Sequence, residues 1–427
     1  MKRLSGKSFR KLPRQKMKSN ADRHNGREYR RKQRKAKQRT GNVRKDKQQK
    51  KRQEVNGQTS NKLTTYEKGQ IMEHTEKKHI AYLEVLRLVA CILVVGVHVS
   101  AFNLEQVPVE SLNFKVMNGL DCLSILGVPL FVMISGALFL APSYEVTVKK
   151  FYTRKIPRIV FLYFFWLLFY NVVNFLENGT VWNFTNVKKQ IVLESLLGKG
   201  MYHMWYLPML AVLYLLTPFL KSFAADRKKC LLFCALGFAY SILLPTALKF
   251  EFPYRTIVES LYNQFDCSFF GGYVTYYVLG HALHEYVPKL SAQKKVALGL
   301  GGVIAMGIEI AVCNAWSVKT GIMSTILNTP FSVTAFIGAA AIFLLLRDGV
   351  SGRKQEELFG KLAGLTLGIY LIHPLFLRIY GWLGGTTLFA PAAIAVPLII
   401  VLITLISGAA VYALSKIPVV KKIVGRQ

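Results

Sequence analysis

Acidic residues are scarce in this chain: 23 Asp and Glu stand against 56 Lys and Arg among 427 residues, for a formal net charge of +33. Such an imbalance points to anionic partners, either nucleic acid or a lipid surface. Cysteine is also sparse. The six at positions 91, 122, 230, 234, 267 and 313 show no metal-ligand spacing. Cys230 and Cys234 make only a helical i, i+4 pair, so no metal site is expected and the thiols read as packing residues. Cys122, Cys267 and Cys313 lie near expected ends of apolar runs, where a disulfide is one option without further support. Between Lys2 and Arg52 large apolar residues are almost missing and no helical or strand period is sustained. That stretch is expected to be disordered. No apolar segment with a small-residue cleavage site follows it before the first long apolar run, which argues against a secretory signal. A start codon assigned too far upstream would also produce such a stretch.

Hydrophobic residues make up 52% of the chain, and apolar runs of helix length recur along it. The composition is that of an all-α, polytopic integral membrane protein. Ten spans are expected, at about 80–102, 121–140, 159–176, 204–220, 230–248, 269–287, 296–314, 326–346, 362–381 and 391–415. Lys and Arg concentrate in alternate connections. Lys149 to Arg158, Lys221 to Lys229, Lys289 to Lys295 and Arg347 to Lys361 contrast with the base-poor segments between them. By the positive-inside rule the basic connections and both termini are cytoplasmic. The charge then divides: residues 1–79 hold 27 Lys and Arg against 7 Asp and Glu, a net +20, and the remainder carries +13. Residues 1–79 read as a disordered polybasic cytoplasmic tail, 80–415 as the membrane domain and 416–427 as a short basic tail. The first tail lacks the aromatic interleaving or folded module of a nucleic-acid reader and suits anionic lipid headgroups.

The first span, IAYLEVLRLVACILVVGVHVSAF, contains Arg87 and His98. Its 23 residues make about 34 Å of helix, enough to cross a hydrocarbon core of about 30 Å. Eleven steps of about 100° place both side chains on one face, about 16 Å apart along the axis. An arginine at mid-membrane costs about 2.5–3.5 kcal/mol even on a lenient scale, so such residues usually face a bundle interior or a wet cavity. Two readings follow. Arg87 snorkels and His98 caps the far boundary, or the pair lines a cavity. Glu84, three residues before Arg87, is placed to neutralise it. A histidine near the outer end of a span is suited to act as general base for an alcohol. The segment KKFYTRKIPRIV (149–160) reads as an inner loop whose cations suit phosphate groups, although the positive-inside rule alone demands several of them.

Taken in order, the Arg87–His98 pair, VPLFVMISGALFL (128–140), the basic segment before the third span, HMWYLPMLAVLYLLTPFL (203–220) and GIYLIHPLFL (368–377) resemble the membrane acyltransferase 3 family. The resemblance runs from about residue 80 to 415. HMWYLPML (203–210), SFFGGYVTYYVLGHALHE (268–285) and the short segment after the last span look most like the surface-polysaccharide O-acetyltransferase branch that lacks an appended SGNH domain. It implies transfer of an acyl group, usually acetyl, from cytoplasmic acyl-CoA as co-substrate to a hydroxyl of an extracytoplasmic or lipid-linked surface glycan. The setting implied is a bacterial plasma membrane, with no permanently bound cofactor.

By the same resemblance His98 matches the essential histidine and Arg87 its paired arginine on the CoA side. The family's inner basic motif is commonly Arg-x-x-Arg; here it reads Lys155-Ile-Pro-Arg158. Lysine keeps the charge and loses the bidentate fork, and Arg154 is a substitute candidate. Ser135 and Gly136 match a Ser-Gly step where the donor's arm, or simply a neighbouring helix, approaches closely. Acceptor-side candidates are Asp121, as a partner for His98 or a cap of its own helix; His203, Trp205 and Tyr206, as a sugar platform or an aromatic belt; Glu309, an intramembrane carboxylate; and His373, before Pro374, as a cavity or core histidine. A competing class is a non-enzymatic transporter or ligand-binding domain, related to the membrane half of amino-acid racemases.

Overall fold

A computed structural model describes residues 81–144, 148–264, 271–350 and 353–424. The expected polybasic tail and Cys267 lie outside the described residues. Among those described, regular structure is entirely helical. The principal helices are α1 (81–101), α2 Leu112–Ser124, α3 Gly127–Phe139, α4 Val148–Glu177, α5 Tyr206–Ala224 and α6 Arg227–Phe238. They continue with α7 Tyr273–Glu285, α8 Ala292–Thr320, α9 Val333–Gly349, α10 Thr366–Trp382 and α11 Ala392–Leu414.

Among the described residues seven helical segments are long and apolar enough to cross a membrane. They are α1, α2 with α3, α4, α5 with its leading turn, α6 with its continuation to Ala247, α8 and α11. The expected spans at 269–287, 326–346 and 362–381 fall on shorter helices of 13, 17 and 17 residues, α7, α9 and α10. Side chains such as Val303 (72% exposed) and Leu405 (66%) face outward on α8 and α11. An apolar outer surface of that kind suits lipid rather than water.

Helix ends follow local side-chain chemistry. Ser111, Asp226, Ser291 and Ser332 accept hydrogen bonds from the exposed amides of α2, α6, α8 and α9, the usual device at an N-terminus. Two connections expected as loops are therefore partly helical. Ser111 starts α2 inside the segment 103–120, and Gly321, at φ 73°, ends α8 only after Thr320. The segment 149–160 is likewise no loop but the opening turns of the 30-residue α4, with Pro157 taken up inside the helix.

The basic connections meet one another at one end of the bundle. Lys221 Nζ donates to the Tyr144 carbonyl at 2.6 Å, Tyr286 Oη to that of Ala224 at 2.6 Å and Lys295 Nζ to that of Asp348 at 3.2 Å. Arg347 closes that end by donating to the carbonyls of Leu283 in the last turn of α7 and of Val287 and Pro288 just beyond it, where a cation is favoured. At the opposite end Thr387 bonds the Phe102 carbonyl (2.8 Å), and the Ala392 amide bonds Asn113 (3.1 Å). After α11 the chain continues as a short helix, Pro418–Ile423, whose Ile423 carbonyl accepts from Trp166 Nε1 at 3.1 Å.

α3 and α7 cross at their glycines. A Cβ on Gly136 would collide with the carbonyl oxygen of Tyr277, and one on Gly280 with that of Met133. The helix-packing reading thus holds for Gly136, since backbone rather than a flexible side chain fills the space. Gly136→Ala is expected to cost about 3 kcal/mol or more, the upper range for overpacking, because neither helix can yield without moving its neighbours. A thermal melt of the detergent-solubilised variant checks this; an unchanged midpoint would show that the crossing tolerates separation.

Candidate active site

Five of these helices, with Ala363 and Gly364 before α10, line a cavity of about 320 Å³. Its lining includes Arg87 and Val94 of α1, Phe131 and Ser135 of α3, Lys155 and Arg158 of α4, Tyr206, Leu210 and Tyr214 of α5, and Thr366 and Tyr370 of α10. The donor-side residues expected from the sequence therefore converge, with one exception. Arg154 is exposed and absent from the lining. Helical spacing explains why: Lys155 and Arg158, three apart, share a face of α4, whereas Arg154 is turned about 100° from Lys155.

Arg87 is anchored as its spacing anticipates. Its Nη1 lies 3.0 Å from both carboxylate oxygens of Glu84. Lys155 Nζ lies 5.6 Å from the centre of the Phe139 ring, a cation–π arrangement. Ser135 Oγ donates to the Phe131 carbonyl at 3.0 Å, as serines in apolar helices commonly do. Arg87, Lys155 and Arg158 thus bring three cationic side chains to this part of the cavity.

One helical turn beyond the cavity, on or leading into each of three helices, stands a histidine. Val94 and His98 on α1, Tyr206 at the start of α5 and His203 in the turn leading into it, and Tyr370 and His373 on α10 are four, three and three residues apart, lining residue first. The three imidazoles gather. His98 stacks on His373 with ring centroids 5.2 Å apart, His203 lies 5.7 Å from His373, and His98 and His203 are 6.5 Å apart. His373 and His203 are 0% and 2% exposed, whereas His98 is only partly buried. His373 Nδ1 lies 3.0 and 2.9 Å from the carbonyls of Ile369 and Tyr370. Carbonyls only accept, so Nδ1 carries the proton and Nε2 of the neutral ring is an acceptor. Among the described residues that Nε2 and both ring nitrogens of His203 have no hydrogen-bond partner. Buried polar atoms left bare mark a place where water or substrate completes the bonding.

Tyr202 escaped the sequence reading. It precedes the HMWYLPML segment, is 56% exposed and lies 4.8 Å from the His98 ring. Tyr170 and Tyr370 wall His203 on two sides, each with ring centroids at 5.3 Å. Tyr206 is buried and lines the cavity, so it is no part of an aromatic belt. Trp205, 46% exposed, stacks on Tyr273 at 5.5 Å rather than on a histidine.

The two carboxylate candidates are committed elsewhere. Asp121 neither caps α2, which Ser111 does, nor orients His98. Its oxygens lie 2.9 Å from Ser100 Oγ and 2.6 Å from Asn328 Nδ2. Glu309, fully buried, accepts from Ser332 at 3.1 Å and Thr334 at 2.5 Å. Both belong to the junction of α2, α8 and the start of α9, where Cys122 and Cys313 also pack. Intramembrane carboxylates are costly unless bonded; hydroxyl and amide donors hold both oxygens of Asp121 but only Oε2 of Glu309, whose Oε1 has no hydrogen-bond partner among the described residues.

Comparison with known proteins supplies the class of chemistry. A family model described as an acyltransferase domain matches residues 80–413. The chain belongs to the acyltransferase 3 family. It is therefore a membrane acyltransferase, and the cation-lined cavity and histidine cluster both fall within the matched residues. No curated protein and no solved structure matches the chain.

Proposed function

We propose that this acyltransferase 3 protein moves an acetyl group from cytoplasmic acyl-CoA to a hydroxyl of an extracytoplasmic or lipid-linked surface glycan, in the plasma membrane of a bacterial cell. The observation that carries the reading is the polarity of the site: Arg87, Lys155 and Arg158 on one cavity, and three histidines one turn past its other end. The basic connections around Lys221 and Lys295 meet at one end of the bundle, which favours that end as cytoplasmic. With ten crossings, both termini lie there, and the basic segment 1–79 rests on anionic lipid.

In this reading guanidinium and ammonium groups hold the donor's phosphates and the thioester points toward His98. The acceptor hydroxyl approaches past the exposed ring of Tyr202. Its oxygen attacks the thioester carbonyl as His98 takes the hydroxyl proton; the C–S bond breaks, and the thiolate leaves as CoA and is protonated. Direct transfer of this kind requires no acyl-enzyme. The oxygen–carbonyl bond forms as the carbon–sulfur bond is lost, and no redox partner is needed.

The test compares surface glycans by mass spectrometry from cells with and without the gene, alongside acetyl-CoA binding to the purified protein. Loss of one acetyl increment from a defined glycan, with acetyl-CoA binding by the protein, is the expected result. Unchanged glycans together with a protein indifferent to acetyl-CoA would remove the reading.

A further inference from the structure

We infer that Tyr206 and Tyr370 form a partition between the cation-lined cavity and the histidine cluster, and that this partition restricts the donor to short-chain acyl thioesters. The inference rests on the acyl-CoA reading above and adds a determinant of acyl length to it. Both tyrosines line the cavity and lie three residues from a clustered histidine, His373 on the helix of Tyr370 and His203 in the turn leading into that of Tyr206. Their rings meet edge to face, with centroids 5.4 Å apart at 65°. At that separation the two rings are in contact and leave no channel between them. Phe131 extends the wall, its ring 6.2 Å from Tyr206.

The two leaves of this wall differ in how they are fastened. Tyr370 Oη donates to the His203 carbonyl at 2.6 Å, and its ring is held edge-on against that of His203 at 5.3 Å. Tyr206 is just as deeply buried, at 8% exposure against 6%, yet its hydroxyl makes no hydrogen bond among the described residues. Tyr206 is therefore the leaf that gives way first. A two-carbon acyl group needs only the small displacement that brings its carbonyl to the histidines. A long chain would have to drive the rings apart or fold back on itself, and one methylene too many against a filled pocket wall is worth about 10- to 200-fold in affinity.

The experiment uses the full chain in lipid nanodiscs and measures dissociation constants for CoA, acetyl-CoA and octanoyl-CoA. Wild type should bind octanoyl-CoA at least about tenfold more weakly than acetyl-CoA. Tyr206→Ala should bring that ratio close to one by strengthening octanoyl-CoA binding relative to acetyl-CoA. Tyr206→Phe, which keeps the ring, should behave as wild type. If the alanine variant does not fold, Tyr206→Leu, which removes the ring and retains bulk, should still narrow the ratio. Wild type that binds CoA but does not discriminate between the thioesters overturns the partition alone, as does an alanine or leucine variant with the wild-type ratio. A wild-type protein that binds no CoA removes the donor reading and the partition with it.

Discussion

His98→Ala is expected to eliminate measurable acyl transfer, with a fall in kcat of about 10²–10⁴-fold, the usual worth of a positioned general base. Protein abundance and affinity for CoA should be unchanged. Of the three gathered imidazoles, His98 alone is partly accessible; His203 and His373 are buried behind Tyr170, Tyr202 and Tyr370. An acceptor arriving past Tyr202 meets His98 first. His373 offers Nε2 as an acceptor because its Nδ1 proton is tied to two carbonyls, and its ring stacks on His98 rather than meeting it edge-on. That arrangement suits His373 to orient a bound hydroxyl or water beside His98. The measurement is single-turnover transfer from radiolabelled acetyl-CoA in membranes, with donor affinity determined separately. Retained transfer in His98→Ala would take the base role from His98 and leave His203, the other ring with bare nitrogens, as the candidate. Lost CoA binding would show instead that the substitution disturbs the cavity.

The α1 part of this site was legible because a helix period is a one-dimensional property. Positions 87, 94 and 98 recur at i, i+7 and i+11, so a face bearing Arg87 and His98 follows from counting alone. The face carries Val94 on the cavity wall between them. Lys155 and Arg158 were legible as cations but misplaced in a loop. Proline and basic residues suggest a connection, yet α4 absorbs Pro157 and presents both charges on one face. The gathering of His98, His203 and His373 could not be read in this way. They come from helices more than a hundred residues apart in sequence, and periodicity within each helix carries no information about which face meets which neighbour. That comes only from how α1, α10 and the turn before α5 pack, which sets the ring contacts of His373 with both His98 and His203. The same limit hid the fate of Asp121 and Glu309. A carboxylate in an apolar run reads as functional by default, and only the packing brings Asn328 to Asp121, and Ser332 and Thr334 to Oε2 of Glu309.

The second large effect is expected at Arg87. Arg87→Met should raise the Michaelis constant for the acyl donor about 10- to 100-fold, the range for losing a charge-assisted hydrogen bond of about 1.5–3 kcal/mol, with a smaller effect on kcat. Part of that penalty belongs to Glu84, which would keep a half-buried carboxylate without the Nη1 it now holds at 3.0 Å through both oxygens. The double variant Glu84→Gln, Arg87→Met separates the two contributions. If Arg87 binds donor phosphate directly, removing Glu84 as well relieves only the stranded carboxylate, and most of the loss in donor affinity persists. If Arg87 serves only to neutralise Glu84, the double variant regains nearly wild-type donor affinity. Glu84→Gln alone distinguishes a third arrangement. Nη1 would lose its charged anchor while Nε and Nη2, which make no bond to Glu84, keep their orientation toward an anion only if the cavity walls hold the guanidinium. Donor affinity that rises in Glu84→Gln means the carboxylate competes with the donor for Arg87; affinity that falls means Glu84 positions it. A variant Arg87→Met with unchanged donor affinity and reduced kcat would place Arg87 at the reacting carbonyl instead of at the phosphates, since an interaction made only in the transition state lowers kcat and leaves ground-state binding alone.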